Sequence, residues 1–240
     1  MNFLKKYKRL FYYKIKNKIN IDFDKKNEKN TLKDLFKYYE TDKDNHGYTE
    51  FYEKHFYPLK EKKINILEIG SYAGSSAASF AKYFPNANIF CIDINIANFK
   101  YSSKKIKVFD LDITNKKMVN NFIKNILRPK NDKFFDIIID DGSHKLNDML
   151  TSLNILFKHV KNGGFYIIED YKFPNFFNHL NDKDESTIDI LIDNIKSKKK
   201  IYSNILDNDT IEKLTNEKIS IFNYQGSSKG AAVAFIKKLN

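Results

Sequence analysis

The run Asp136-Ile137-Ile138-Ile139-Asp140-Asp141-Gly142-Ser143-His144 carries an apolar stretch straight into two carboxylates, a glycine, a serine and a histidine. A second run, Gly163-Gly164-Phe165-Tyr166-Ile167-Ile168-Glu169-Asp170, also ends in two acids. Continuous apolar runs of this kind read as strands buried on both faces of a parallel sheet. Neighbouring strands lie about 5 Å apart, and in open α/β sheets their carboxyl ends form the edge that binds ligands. Asp140 and Asp141 are therefore expected to converge with Glu169 and Asp170. Carboxylates so close cannot all stay ionised without a cation or a shared proton. A hard divalent ion resolves the repulsion. Oxygen ligands with open water positions suit Mg2+, with Mn2+ or Ca2+ as alternatives. In a plainer reading these acids cap helices or contact a cofactor. Adjacent side chains on a strand point to opposite faces, so Glu169 and Asp170 share an ion only if the strand has ended there.

His144 follows Asp141 by three residues, at the mouth of the next expected helix, and of the five histidines it is the one set beside the acids in sequence. An imidazole that titrates near neutrality is the usual general base. An ion that holds a hydroxyl lowers its pKa, and His144 is placed to take that proton. The plainer role for the ring is a hydrogen bond at the helix start.

The stretch Leu67-Glu68-Ile69-Gly70-Ser71-Tyr72-Ala73-Gly74-Ser75-Ser76 follows an apolar strand and opens a helix. Gly70 and Gly74 permit a tight turn and a close backbone approach to a ligand. The small residues from Ser75 onward let the helix start press against a bulky group. The spacing is not GxGxxG, so the dinucleotide fingerprint fails. The second strand ends in Asp93, where nucleotide sites take ribose hydroxyls; Asp110 or Asp112 ends the third. In this order of glycine loop, acid and acid, the sequence resembles the class I S-adenosylmethionine-dependent methyltransferases, with Glu68-x-Gly70-x-x-x-Gly74 as their first motif. The resemblance implies S-adenosylmethionine as cofactor. Gly70 and Gly74 would approach its methionine and ribose, Asp93 would hold the ribose, and the third acid would meet the adenine. Asp140 is expected to face the cofactor side. An unspecific α/β nucleotide binder is the alternative.

The 138–144 and 167–170 runs, with Thr41-Asp42-Lys43, Tyr48-Thr49 and Tyr52-Glu53 upstream, resemble more narrowly the macrolide-sugar and rhamnosyl O-methyltransferase group. That resemblance implies metal ligation by Asp141, Glu169 and Asp170 and a base role for His144. The 41–49 loop would cover cofactor and sugar, with His46, Tyr48 and Thr49 as candidates for substrate contact. The expected reaction is methyl transfer to a sugar hydroxyl of a small-molecule or glycan substrate, nucleotide-activated or part of a surface polysaccharide. Most of the acceleration would come from alignment of the reactants. A hydroxylase built on Fe(II) is the second reading, but a facial triad needs two histidines and the sequence offers only His144.

These residues need a scaffold. From residue 64 the pattern alternates. Strands are expected over 64–69, 88–92, 106–111, 135–139 and 165–168. Helices are expected over 75–84, 116–127, 146–160 and 184–196, with Gly163-Gly164 as the stop signal of the third. Two late strands, 219–224 and 231–236, flank the Gly226-Ser227-Ser228-Lys229-Gly230 turn and read as an antiparallel hairpin. The sum is an α/β fold, a doubly wound, seven-stranded, mostly parallel Rossmann-like sheet with an antiparallel C-terminal hairpin. Residues 1–60 read as a helical N-terminal extension or lid and 61–240 as the methyltransferase domain. Thr31 is expected to cap a helix over 32–39 with Asp34 near N3. Thr49 is expected to cap a helix over 50–57, which Pro58 ends.

A chain of 240 residues with 42% hydrophobic content suits one α/β domain with an extension. Formal net charge is +12, yet Arg9 and Arg128 are the only arginines among 42 basic residues. Richness in Lys, Asn, Ile, Phe and Tyr reads as nucleotide bias in the coding sequence. A nucleic-acid partner is not expected, since it would favour arginine, whose planar fork suits phosphates and bases. Cys91 is alone, which excludes a disulfide framework and a Cys-based zinc site. With no apolar run of transmembrane length and a lysine-interrupted N-terminus, the default expectation is a cytoplasmic protein. Residues 1–20 carry seven Lys/Arg and no acid, with Phe3, Tyr7, Phe11, Ile15 and Ile19 at every fourth position. Such a stripe reads first as a helix packed on its own domain or on a partner subunit of a homo-oligomer. A basic amphipathic helix can also make peripheral contact with an anionic membrane, which leaves a non-catalytic scaffold as a third reading.

Overall fold

The structure is a computed structural model that describes residues 18–24, 31–127, 133–216 and 218–240. In chain order the strands are β1 (Ile19–Asn20), β2 (Asn65–Ile69), β3 (Asn88–Asp93), β4 (Tyr101–Ser102), β5 (Ile106–Asp110), β6 (Phe135–Asp140), β7 (Val160–Glu169), β8 (Ile219–Gln225) and β9 (Ala232–Lys238). The helices are α1 (Leu32–Tyr38), α2 (Thr49–Phe56), α3 (Ser75–Tyr83), α4 (Lys116–Ile126), α5 (Leu146–Leu156), α6 (Phe173–Phe176), α7 (Ile188–Lys196) and α8 (Asn208–Asn216). Seven strands form one sheet in the order β5-β3-β2-β6-β7-β9-β8. The first five are parallel; β9 runs antiparallel to β7, and β8 antiparallel to β9. The chain builds outward from β2 through β3 to β5, then returns to lay β6 on the other side of β2. The topological switch point, where such sheets bind ligands, therefore lies between β2 and β6.

The two-residue period of the strands sorts the core into two layers. Leu67, Ile138, Tyr166 and Ile168 face a cluster shared with Val119 and Phe122 of α4, Leu150 and Leu153 of α5 and Leu191 of α7. Ile66, Ile137, Ile139, Phe165 and Ile167 face the other cluster, with Leu35 and Phe36 of α1, Tyr52 and Phe56 of α2 and Phe80 of α3. The same period decides where the acids go. Asp140 shares the parity of Ile138 and turns toward α5. Glu68 shares that of Ile66, and Glu169 that of Ile167, so both turn toward α1 and α2.

The expected capping box is present. The Thr31 hydroxyl accepts the Asp34 N–H at 3.2 Å, and Asp34 accepts the Thr31 N–H at 3.2 Å. Other local expectations shift. Gly163 and Gly164 do not stop a helix; they lie inside β7. α5 ends at Leu156, a 3-10 turn over Phe157–His159 follows, and β7 begins at Val160. Gly164 sits where a Cβ would come 2.6 Å from the Asp136 carbonyl oxygen, so the glycine serves strand contact rather than chain reversal. α7 starts at Ile188 rather than at 184, and α6 and α8 were not expected. Thr49 is the first residue of α2 rather than its cap, and its hydroxyl donates to Asp44 at 2.8 Å. The basic stripe falls mostly on residues 1–17, outside the described residues; its last member, Ile19, pairs as a strand with Tyr101. Among the described residues no helix is long and apolar enough to cross a membrane.

Candidate active site

A cavity of about 600 Å3 opens at the switch point, within the usual range for small-molecule sites. Gly70, Ser71, Tyr72 and Ser75 line it from the β2–α3 turn, Asp93 from the end of β3, and Asp112 from beyond β5. Asp141, Gly142, Ser143 and His144 line it from the β6 side. Asp93 is fixed by two backbone N–H groups, from Tyr72 at 2.8 Å and from Asn95 at 2.7 Å, one to each oxygen. A carboxylate oxygen has two acceptor sites, so both retain capacity for a hydroxyl. Asp112 accepts the N–H and the hydroxyl of Thr114 at 2.9 and 2.7 Å. Asp110 is exposed on β5 opposite Asp93 and does not line the cavity. Of the two expected alternatives, the structure places Asp112 there.

Three expectations on the cofactor side change, those for Gly74, Glu68 and Asp140, while Gly70 lines the cavity. Gly70 lies at φ +82, and a Cβ there would stand 2.0 Å from the Asp141 carbonyl oxygen. Gly74 lies at φ +79, and its Cβ would stand 2.6 Å from the Phe99 ring. Both glycines are required by protein packing, and Gly74 does not line the cavity. Glu68 is wholly buried, away from the cavity, and neither carboxyl oxygen has a hydrogen-bond partner. Burial pushes its pKa up. Asp140 does not face the cofactor side either. The Ser152 and Tyr166 hydroxyls donate to its Oδ2 beneath α5, and burial pushes its carboxyl up to about 7 against those bonds.

The other acids meet at the cavity edge, each held by one segment, residues 41–52. Lys43 is fully buried, with Nζ 2.6 Å from Asp141 Oδ2 and 2.7 Å from Glu169 Oε1. Burial pulls the ammonium pKa down, but the Asp141 and Glu169 carboxylates outweigh this and hold it well above the ordinary value. Tyr52 donates its hydroxyl to Glu169 Oε1. Tyr48 donates to Asp170 Oδ1 at 2.6 Å, and His46 Nδ1 lies 3.4 Å from Asp170 Oδ2. Burial raises the Asp170 carboxyl, and the His46 and Tyr48 hydrogen bonds with the His144 charge reverse this, so it sits below the ordinary value. β7 ends at Glu169, and Asp170 turns out at φ +52, so these neighbours do not project to opposite faces of one strand. His144, at φ +55, places Nε2 3.9 Å from Asp141 Oδ1 and 3.8 Å from Asp170 Oδ2. Two non-glycine residues at positive φ in one site are strained positions of the kind that gather at functional centres.

Among the described residues, Asp141, His144 and Asp170 bring one ligand atom each within 4.8 Å of the others. Two carboxylates and an imidazole around one point fit a divalent ion. Glu169, expected in that set, is instead engaged by Lys43 and Tyr52. His46 is brought near Asp170 but lies outside the three-residue group. Tyr48 and Thr49 are buried and do not line the cavity, so the structure gives them to Asp170 and Asp44 rather than to a substrate.

Residues 67–171 match a family model described as a methyltransferase domain. The chain is 33% identical over 156 residues to L-olivosyl-oleandolide 3-O-methyltransferase of Streptomyces antibioticus, which covers 60% of this chain and 38% of that protein. It is 32% identical over 132 residues to mycinamicin VI 2''-O-methyltransferase of Micromonospora griseorubida, covering 52% and 31%. Residues 67–171 thus form a methyltransferase domain, and the chain is related to the macrolide-sugar O-methyltransferases. It spans under two-fifths of the length of these two relatives. The fold is that of the MycE methyltransferase from the mycinamycin pathway, solved in complex with Mg and SAH. The TM-score is 0.66 at 24% identity, over 88% of this chain and 55% of that one. In this methyltransferase domain the residues missed from sequence are Lys43 and Tyr52 as partners of the acids. Two signals pointed there: buried acids need a counter-charge, and Tyr48, Tyr52 and Phe56 share one helical face.

Proposed function

We propose that this chain is an S-adenosylmethionine-dependent O-methyltransferase that acts, with a divalent ion such as Mg2+, on a sugar hydroxyl of a glycoside or glycan. The observation that carries the reading is the meeting of Asp141, His144 and Asp170 at the rim of a nucleotide-type cavity. The relatives named above, which methylate sugar-bearing natural products by their names, support the acceptor class.

S-Adenosylmethionine supplies an electrophilic methyl group, and a divalent ion held by Asp141 and Asp170 would make an acceptor hydroxyl more acidic. Asp93 offers its spare acceptor sites to ribose hydroxyls, and Asp112 lies where the adenine end would rest. His144 takes the acceptor proton at Nε2. Asp141 and Asp170, each within 4 Å of that nitrogen, stabilise the imidazolium that results. Tyr48, Tyr52 and Lys43 hold the acids still, so the reacting groups are aligned before they meet.

One nitrogen cannot serve twice: a ring coordinated through Nε2 has no lone pair there for a proton. His144→Ala is therefore expected to bind S-adenosylhomocysteine and Mn2+ with native affinity while losing methyl transfer by at least about 100-fold. Asp141→Asn is expected to lose both Mn2+ and transfer. Methyl transfer at the native rate in both variants, with cofactor binding intact, would sink the proposal. Loss of Mn2+ in His144→Ala would instead make the ring a ligand.

A further inference from the structure

His144 has two neighbourhoods. One is the cavity, of whose lining it is part; the other is α6, whose rings lie outside that lining. Phe173 packs edge-on against the His144 ring, with centroids 5.4 Å apart. Phe177 follows at 5.5 Å from Phe173, and His179 at 6.3 Å from Phe177. A line of rings thus runs outward from the base and opens along the way. Phe173 is half-buried, whereas Phe176 and Phe177 are 46% and 39% exposed. α6 is four residues long and cannot hold this shape by itself. It is tied to the acid cluster, since the Phe173 N–H donates to the Asp170 carbonyl at 2.9 Å. Behind it stands the hairpin turn: a Cβ at Gly230 would come 2.7 Å from Phe173 Cδ1 and 3.2 Å from Phe176 Cδ2. Lys229 places Nζ 5.0 Å over the Phe176 ring. Exposed aromatic rings held rigidly beside a polar centre make a ligand surface rather than a piece of core.

We propose that Phe173, Phe176 and Phe177 are the platform on which the acceptor lies, and that the acceptor is a glycoside of at least two sugar rings. A pyranose ring has an apolar face of C–H bonds. That face packs on an aromatic ring while the hydroxyls at its edge stay free. In the proposed reaction the cofactor fills the cavity, so the body of the acceptor leaves His144 on the α6 side. The ring that carries the reacting hydroxyl lies against Phe173. The next ring lies on Phe177, one ring-to-ring step further out. Phe176, with Lys229 over it, borders the platform on the hairpin side. The inference rests on the reading that the acceptor is a sugar hydroxyl, and it adds where the sugar chain runs and its least length.

The test measures release of S-adenosylhomocysteine by the full chain with methyl glycosides of hexoses and 6-deoxyhexoses, each offered as one ring and as the disaccharide. For an accepted sugar, the disaccharide is expected to exceed the one-ring glycoside in kcat/KM by at least about tenfold. Phe177→Ser is expected to raise KM for the disaccharide by about tenfold, with kcat, and KM for one ring, within about twofold of native. Phe177→Tyr keeps the ring and restores the native KM. Phe177→Leu serves where Phe177→Ser does not fold. Binding is also read without turnover. The chain has no tryptophan, so Phe177→Trp carries a single fluorophore. With S-adenosylhomocysteine present, its emission is expected to shift on adding the disaccharide and not on adding the one-ring glycoside. Equal changes in KM for both acceptors, or no change in either, overturn the inference. So does a Phe177→Ser protein whose mass by light scattering falls while KM holds, since the rings then pack on a second copy of the chain. Native protein that methylates no glycoside of the panel overturns the sugar-acceptor reading beneath it.

Discussion

Gly70 is where the two halves of the site press closest, and Gly70→Ala probes that contact. Alanine at φ +82 adopts the left-handed region, which costs about 1–2 kcal/mol for an L-residue. Its Cβ would also stand 2.0 Å from the Asp141 carbonyl oxygen, 2.6 Å from the carbonyl carbon and 2.7 Å from Gly142 Cα. All three are backbone atoms, so no rotamer change relieves the overlap. One of the two loops must move by more than 1 Å to reach ordinary contact, and overpacking of this kind costs about 1–3 kcal/mol. The sum of about 2–5 kcal/mol lowers the melting temperature by roughly 4–20 °C for a domain of this size. Because the displaced residue is Asp141, Mn2+ binding and methyl transfer are expected to fall with it; a misplacement near 1 Å costs about 100-fold in rate. Gly74→Ala is the control. It has the same positive φ, but its Cβ meets the Phe99 ring, so Phe99→Leu recovers part of the loss there, and no side-chain change rescues Gly70→Ala. Thermal melting and Mn2+ titration of these variants decide the matter. A Gly70→Ala protein that melts within about 2 °C of native and binds Mn2+ unchanged refutes the reasoning.

Asp140→Asn is expected to leave S-adenosylhomocysteine affinity within about threefold of native, because Asp140 turns beneath α5 and does not line the cavity; a tenfold loss in calorimetry would return it to the cofactor. His55 packs against the Phe165, Phe222 and Phe235 rings, and burial, then Lys54 and Lys237, lower its pKa to about 4. Its folded pKa lies below the unfolded value, so its stabilisation is whole above the ordinary histidine range and is lost as pH falls toward about 4. With the ring partly exposed, that loss is on the order of 2 kcal/mol, read as a difference in urea midpoints between pH 7 and pH 4.5 (roughly) that disappears in His55→Gln.

The sheet was legible because its signal is local. Apolar runs such as 137–139 and 165–168 have the composition of doubly buried strands, and the acids that end them are visible without any tertiary information. Direction was harder to read. The sequence places Asp140 and Asp141 side by side, and only pairing with β2 and β7 fixes which of them faces α5. The Gly163-Gly164 pair misled for a related reason: glycine marks a helix stop and a close strand contact with the same letter, and here Asp136 on the neighbouring strand decides between them. Lys43 was hidden by distance. It lies 98 residues from Asp141 and 126 from Glu169 along the chain, so no periodicity connects them, and its place in the Thr41-Asp42-Lys43 stretch does not say which acids it meets.

The C-terminal hairpin completes that long-range logic. Its turn, expected only to reverse the chain between β8 and β9, also supports the 41–49 loop. The Ser227 N–H donates to the His46 carbonyl at 2.9 Å, and the Ser227 hydroxyl donates to the Asn45 carbonyl at 2.5 Å. A Cβ at Gly226 would stand 2.6 Å from the His46 carbonyl oxygen and 2.8 Å from the Tyr48 ring. β9 meanwhile pairs with β7 up to Val233 opposite Glu169. One hairpin therefore touches both the strand that carries Glu169 and Asp170 and the loop whose His46 and Tyr48 hold Asp170. The two anchors constrain the same carboxylate from opposite sides, so the acid cluster stays in register only while the hairpin turn stays short and small-residued. The glycines and serines of residues 226–230, which look like an ordinary surface turn, are in this fold part of what aligns the site.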